Sequence, residues 1–109
     1  MPRFLWLLLK ESRYPAADNW NLIQTGQFKK DLKRYKNQPA KIAALKGILN
    51  ELRNTGTVSV DYRPHTLSGN WSGYLECHIQ NDFLLIWKDP KTNDIFLARL
   101  GSHAELFGK

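Results

Sequence analysis

The chain has 109 residues, 42% apolar and 24% charged, with a formal net charge of +6. That length suits one domain with a modest core, and the balance of apolar to charged residues excludes a disordered chain. A single cysteine, Cys77, excludes an internal disulfide framework and fits a reducing, cytoplasmic setting.

The N-terminal run Phe4-Leu5-Trp6-Leu7-Leu8-Leu9 lies between Arg3 and Lys10. It is far shorter than the roughly 20 residues a membrane span needs, and short for a signal-peptide core of roughly 7–15. Pro15-Ala16-Ala17-Asp18-Asn19 then reads as a loop. Residues 1–19 are therefore expected to form an extension to a domain over 20–109, with no membrane partner.

Trp20 to Gln24 alternates weakly and reads as a first strand. Thr25 is a helix N-cap by type, since its hydroxyl can accept from the free amides of a first turn. Phe28, Leu32 and Tyr35 then recur at i, i+4 and i+7, which is one helical face. Asn37-Gln38-Pro39 breaks this helix and starts a second, where Ile42, Leu45, Leu49 and Leu52 repeat until Gly56. From Val58 the period becomes two. Tyr74, Glu76 and His78 project to one side of a strand, and Leu75, Cys77 and Ile79 to the other. A turn at Gln80-Asn81-Asp82 leads to the apolar strand Phe83–Trp87, and a loop leads to a last strand, Ile95–Leu100. Gly101 opens a short tail. Helices bunched ahead of strands predict an α+β fold, with an αα-hairpin on one face of an antiparallel sheet of about four strands.

All three histidines lie in the last 45 positions, each in a short polar block beside strand-like sequence. Histidine exchanges protons near neutrality, with an unperturbed pKa of about 6.5. Glu76 and His78 share a strand face roughly 7 Å apart. Asp82 follows in the turn, and His103 can return to the same face. Convergence of His65, Glu76, His78, Asp82, Arg99 and His103 would give an acid–base site for an anionic substrate. Each residue also has an ordinary structural explanation: a loop shaper, a turn former, an ion-pair partner or, for Phe107, a C-terminal plug. Cys77 falls on the apolar side of its strand and reads as a small buried hydrophobe. Metal binding is the rival reading, because Glu76-x-His78 plus two more histidines could supply a site. No HExxH motif or paired Cys/His spacing appears, however, and positive charge nearby would oppose a cation. The reading carries no metal and no cofactor.

Charge is distributed unevenly. Between Asn21 and Arg63 nine basic residues face three acidic ones, and the rest of the chain is neutral. Lys29, Lys30, Lys33, Arg34 and Lys36 cluster on the first helix, with Arg63 further along. Such a stretch suits a polyanion or an acidic protein partner, or equally a solvated helix face.

The blocks His65-x-Leu67-x-Gly69-x-Trp71-x-Gly73-Tyr74, Glu76-Cys77-His78-Ile79, Asp82-Phe83-Leu84-Leu85-Ile86-Trp87 and Gly101-Ser102-His103-x-x-Leu106-Phe107, in this order, resemble the YafQ branch of the RelE/ParE toxin superfamily. The helical opening Gln27-Phe28-Lys29-Lys30-Asp31-Leu32-Lys33 is similar to that family's first helix. The resemblance spans about Trp20 to Lys109 and departs over the first twenty residues. Phe83 stands where other members can carry tryptophan. The resemblance implies a RelE-like fold and the toxin of a type II toxin–antitoxin pair: a ribosome-dependent endoribonuclease that cuts mRNA in the A site without metal. It also implies a cognate antitoxin in a hetero-oligomeric complex. It places His65, His78, Asp82 and His103 on catalytic positions, Phe107 on a C-terminal aromatic tied to activity, and Glu76 on an acidic position near the site. The chemistry that follows is attack by the ribose 2′-OH, giving a 2′,3′-cyclic phosphate or its opened 3′-phosphate. Asp82 or His78 would be base, His103 acid, and His65 with Arg99 would stabilise charge. The alternatives are a non-catalytic RNA-binding or regulatory module, or a superfamily toxin with another target such as gyrase.

Overall fold

The computed structural model describes residues 19–108, so the Phe4 to Leu9 run lies outside the described residues. Strand β1 (Asn21–Gln24) leads into helix α1 (Gly26–Arg34), followed by helix α2 (Pro39–Thr55). Strands β2 (His65–Thr66), β3 (Leu75–Gln80), β4 (Phe83–Lys88) and β5 (Asp94–Gly101) come next, then helix α3 (His103–Phe107). Short 3-10 turns at Val60–Tyr62 and Gly69–Trp71 flank β2. Among the described residues, no helix is long and apolar enough to cross a membrane.

The α+β architecture is as the periodicity predicts, but the sheet differs. It has five strands in the order β1-β5-β4-β3-β2, and it is mixed: β1 runs parallel to β5 while the other pairs are antiparallel. The long excursion through both helices allows β1 to pair in parallel, which a tight hairpin would not. β2 is two residues long, too short to show any alternation in sequence, yet it pairs His65 with Glu76.

The helices begin and end where local chemistry dictates. Thr25 Oγ accepts from the Phe28 N–H at 3.2 Å, and its hydroxyl donates to the Leu97 carbonyl at 2.8 Å. One side chain thus caps α1 and ties its start to β5. Helix α2 carries proline in its first turn and stops at Gly56, whose φ of 76° is left-handed. A Cβ there would also lie 2.6 Å from the Trp20 ring, so glycine is required twice over.

Helix α1 packs over β5, and α2 over β1 and β3. Phe28, Leu32, Leu45, Leu49 and Leu52 meet Cys77, Leu85, Trp87 and Leu97 in the main core. The opposite sheet face is not the polar surface that strand alternation suggests. There Leu84 and Ile86 pack with Leu106, rimmed by Leu67, Trp71, Tyr74 and Phe107. Cover on both faces explains why β4 is apolar throughout. The cover comes from α3, read in sequence as a tail. Ser102 Oγ accepts from the Glu105 N–H at 3.1 Å and Glu105 Oε1 accepts from the Ser102 N–H at 2.8 Å, a reciprocal capping box.

Two carboxylates fasten the first helix to the C-terminal segment, one to the end of β5 and one to α3. Asp31 is wholly buried on α1. Its Oδ2 accepts from Arg99 Nε at 2.8 Å and from the Leu100 N–H at 2.9 Å. Its Oδ1 accepts from Gln27 Nε2 at 3.1 Å and from the Arg99 guanidinium at 3.3 Å. Glu105 accepts a short hydrogen bond from the Tyr35 hydroxyl and lies 3.4 Å from the Arg34 guanidinium. Burial, then the Glu105 carboxylate, holds the Tyr35 phenol well above its ordinary range. Burial acts upward on Glu105 too, but bonds from Tyr35 and the Ser102 N–H outweigh it and keep that carboxyl low.

Removing one partner of a buried ion pair strands the other. Asp31→Ala should therefore cost about 3 kcal/mol, and Tyr35→Phe about 1 kcal/mol. Urea unfolding followed by tryptophan fluorescence measures both. Losses near zero in both variants would mean that these carboxylates do not fasten the C-terminal segment.

Candidate active site

Glu76 and His78 alternate with Cys77 and Ile79, whose side chains sit in the main core. They therefore occupy the second sheet face, beside α3. The β2–β3 register sets His65 across from Glu76, and the β3–β4 turn delivers Asp82 near the start of α3. Three histidines from three elements line up. The His65 and His78 ring centroids are 6.1 Å apart, and those of His78 and His103 are 5.9 Å apart. The Phe107 ring follows at 6.2 Å from His103, and Trp71 at 6.3 Å from Phe107.

Each ring is held differently. His65 Nδ1 lies 2.8 Å from the Arg63 carbonyl, and its Nε2 lies 3.2 Å from Glu76 Oε1. Both neighbours are acceptors when Glu76 is ionised, an environment that suits a ring bearing two N–H groups. Glu76 is only 4% exposed, so its carboxyl group is held in place beneath the two rings. Its Oε1 is 3.9 Å from His78 Nε2, within ion-pair range but beyond a hydrogen bond. His78 therefore keeps its ring largely uncommitted.

His103 is oriented by Asp82. One oxygen, Oδ1, accepts from the His103 backbone N–H at 2.9 Å and lies 2.8 Å from its Nδ1. A carboxylate can only accept, so Nδ1 carries the proton and Nε2 is turned outward. The backbone bond first, then the ring bond, lowers the Asp82 carboxyl below its ordinary value. Asp82 has a left-handed φ of 50°, tolerable for aspartate in a tight turn.

His65, Glu76, His78, Asp82, His103 and Phe107 thus come together on one face. Arg99 does not join them: its guanidinium is spent on Asp31. Lys29, Lys30, Lys33 and Lys36 are exposed on and just after α1, whose apolar face meets the other side of the sheet. Arg34 is partly occupied by Glu105. Arg63 lines a cleft that also takes in His78. Cys77 is fully buried, and that burial chiefly pushes its thiol up to about 12, which leaves no thiolate for nucleophilic attack. The atoms of His65, Glu76 and His78 able to bind a metal lie within 4.8 Å of one another, because strand pairing sets His65 beside the Glu76-x-His78 pair.

Two contributors escape sequence reading. Lys41 stands over the Phe83 ring at 5.0 Å and helps lower the Asp82 carboxyl, although nothing in α2 singles it out from other lysines. The second is Lys88, whose Nζ lies 5.4 Å from the Tyr74 centroid; Tyr74 and Trp71, both within the motif blocks, have centroids 5.2 Å apart. The signal available for α3 was Ser102-x-x-Glu105, a capping box placed just before His103's own turn.

Residues 21–108 match the family described as "Bacterial toxin of type II toxin-antitoxin system, YafQ". The chain belongs to the YafQ toxin family. It is 35% identical over 86 residues to the mRNA interferase toxin YafQ of Escherichia coli strain K12, covering 77% of this chain and 91% of that one. Its fold superposes with a TM-score of 0.72 on a structure of the E. coli DinJ-YafQ toxin–antitoxin complex, at 31% identity over 83% of this chain and 99% of that chain. A metal-bound toxin from Helicobacter pylori gives a TM-score of 0.71 at 32% identity, covering 81% of this YafQ-family chain and 99% of the other.

The Asp82–His103 contact makes a pH-dependent signature. Because the folded Asp82 value is lowered, the contact adds stability above the unfolded carboxyl's pKa, and this is lost as pH falls through the lower folded value. A carboxyl 13C titration should find Asp82 below the ordinary range. In His103→Ala it should rise part of the way, since the backbone N–H remains. Identical titration in both proteins would mean that the ring contact does not form in solution.

Proposed function

We propose that this YafQ-family toxin is an mRNA interferase: an endoribonuclease that cleaves mRNA on the ribosome in the cytoplasm and is silenced by a cognate antitoxin in a hetero-oligomeric complex. The observation that carries the chemistry is the pairing of an uncommitted His78 with His103, centroids 5.9 Å apart, the second fixed by Asp82. His78 takes the proton of the ribose 2′-OH and the oxygen attacks the adjacent phosphorus. His103, entering the step protonated on both nitrogens with Nδ1–H on Asp82, gives its Nε2 proton to the departing 5′-oxygen. The balance is one proton removed and one supplied, leaving a 2′,3′-cyclic phosphate and a 5′-hydroxyl.

Asp82 is a poor candidate for the base, because its low carboxyl is engaged by His103. It acts instead by holding Nδ1–H of that ring, which leaves Nε2 for the substrate. His65, backed by Glu76, supplies positive charge toward the developing phosphorane, and Phe107 walls the site beside His103. Arg99 serves the reaction indirectly, by holding β5 to α1. No step requires a metal. A divalent cation at His65, Glu76 and His78 would occupy the same groups and compete with proton transfer.

Lys29, Lys30, Lys33, Arg34 and Lys36 suit a second task, docking on the phosphate backbone of rRNA. Phosphate contacts position a protein without reading sequence. The same surface fits an acidic antitoxin segment.

His78→Ala and His103→Ala should each lower mRNA cleavage in a translating extract by about 10²–10⁴-fold while ribosome binding persists. Cleavage at the parental rate in either variant would refute the assignment. Replacing Lys29, Lys30 and Lys33 together by glutamine should do the reverse, weakening ribosome binding and flattening its salt dependence. Unchanged binding at every salt concentration would remove the docking role.

A further inference from the structure

Next to His78 the chain opens a cleft of about 340 Å³ between the 3-10 turn and the far end of β3, lined among others by Asp61, Tyr62, Arg63, Gln80 and Asn81. We propose that this cleft seats an unpaired nucleobase bearing an exocyclic amine, from the nucleotide adjoining the scissile phosphate. The proposal rests on the reading of the protein as an RNA-cleaving toxin and goes beyond it by naming what selects the cut.

Position comes first. His78 belongs both to the histidine row and to the cleft wall, so a base held there places its own phosphate within reach of the rings. Both walls are irregular at this point. Arg63 adopts a left-handed φ of 53°, and the β3–β4 ladder slips register between His78 and Gln80. Bulges re-aim the side chains that follow them, and non-glycine left-handed residues persist where surrounding structure holds them.

Chemistry then selects the ligand. The Asp61 carboxylate can only accept hydrogen bonds, so a bare anion is not received there. The Gln80 and Asn81 amides each offer a donor and an acceptor, the pattern that pairs with an amine beside a ring nitrogen. Among the described residues none of these three, nor Arg63, spends its side chain on a hydrogen bond or ion pair. Tyr62 contributes a half-buried aromatic ring to the cleft, and bases stack on such rings regardless of identity. Arg63 can meet the neighbouring phosphate. Uracil, with two carbonyl groups, would set an acceptor against Asp61.

The test is to map cut sites across translated mRNAs by sequencing, for the parent and for Asp61→Asn and the double variant Gln80→Ala, Asn81→Ala. The parent should disfavour uracil at one position next to the cut. The double variant should still cut, giving the same end groups, with that bias reduced about tenfold, and Asp61→Asn should admit uracil. Cleavage without base bias in the parent, or a bias unchanged in both variants, overturns the cleft and leaves the nuclease reading standing. If the parent does not cut at all, the nuclease reading fails by itself. The cleft is then decided by titrating the full chain with short RNAs blocked by 2′-O-methyl groups. Shifts of the Gln80 and Asn81 side-chain amide signals with adenine- or cytosine-containing RNA but not with oligouridine support it; no shifts overturn it.

Discussion

A buried carboxylate, Asp31, holds the end of β5 to the first helix, and the chemistry of the C-terminus hangs from that point. Three of its four hydrogen bonds fix Arg99 and Leu100, and two residues later the chain turns at Ser102 into α3. Glu105 repeats the device from the other side, joining α3 to Tyr35 and Arg34. Between the two anchors lies His103, with its backbone N–H and ring nitrogen on Asp82. A five-residue helix would be marginal alone. Here it is capped, tied at its third residue and packed through Leu106 on Leu84 and Ile86.

The two faces of the sheet divide the labour. One face meets α1 and α2 and carries the main core. The other carries a small apolar cluster, and at its border His65 and His78 rest against a nearly buried Glu76 while His103 is held by Asp82. In the proposed reaction this surface, a buried carboxyl below and exposed rings above, is where protons are exchanged with a phosphodiester. The lysines of α1 lie away from this surface, so the proposed reaction and the proposed docking on polyanions use separate regions.

Much of this was legible in the sequence, and what escaped did so for physical reasons. Both helices follow from apolar residues at helical spacing, the Thr25 cap and the Gly56 stop. The grouping of His65, His78, Asp82 and His103 came from ordered motif blocks rather than from spacing, because residues nearly forty positions apart carry no local signal of proximity. Arg99 looked like charge for the site, since pairing with Asp31 depends on how α1 lies over β5. The parallel pairing of β1 with β5 and the two-residue β2 were hidden because neither leaves a period to read. Glu76 looked exposed by alternation, whereas α3, mistaken for a tail, helps cover that face.

The chemistry turns on the ribose 2′-OH being the nucleophile beside His78, and end-group analysis of the cleaved mRNA tests it most directly. Full-length toxin in a translating extract should leave a 2′,3′-cyclic phosphate or 3′-phosphate upstream and a 5′-hydroxyl downstream, and a single 2′-deoxy residue at the cut position should block cleavage. Products with a 3′-hydroxyl and a 5′-phosphate, or undiminished cleavage at the 2′-deoxy position, would contradict a histidine-driven transesterification.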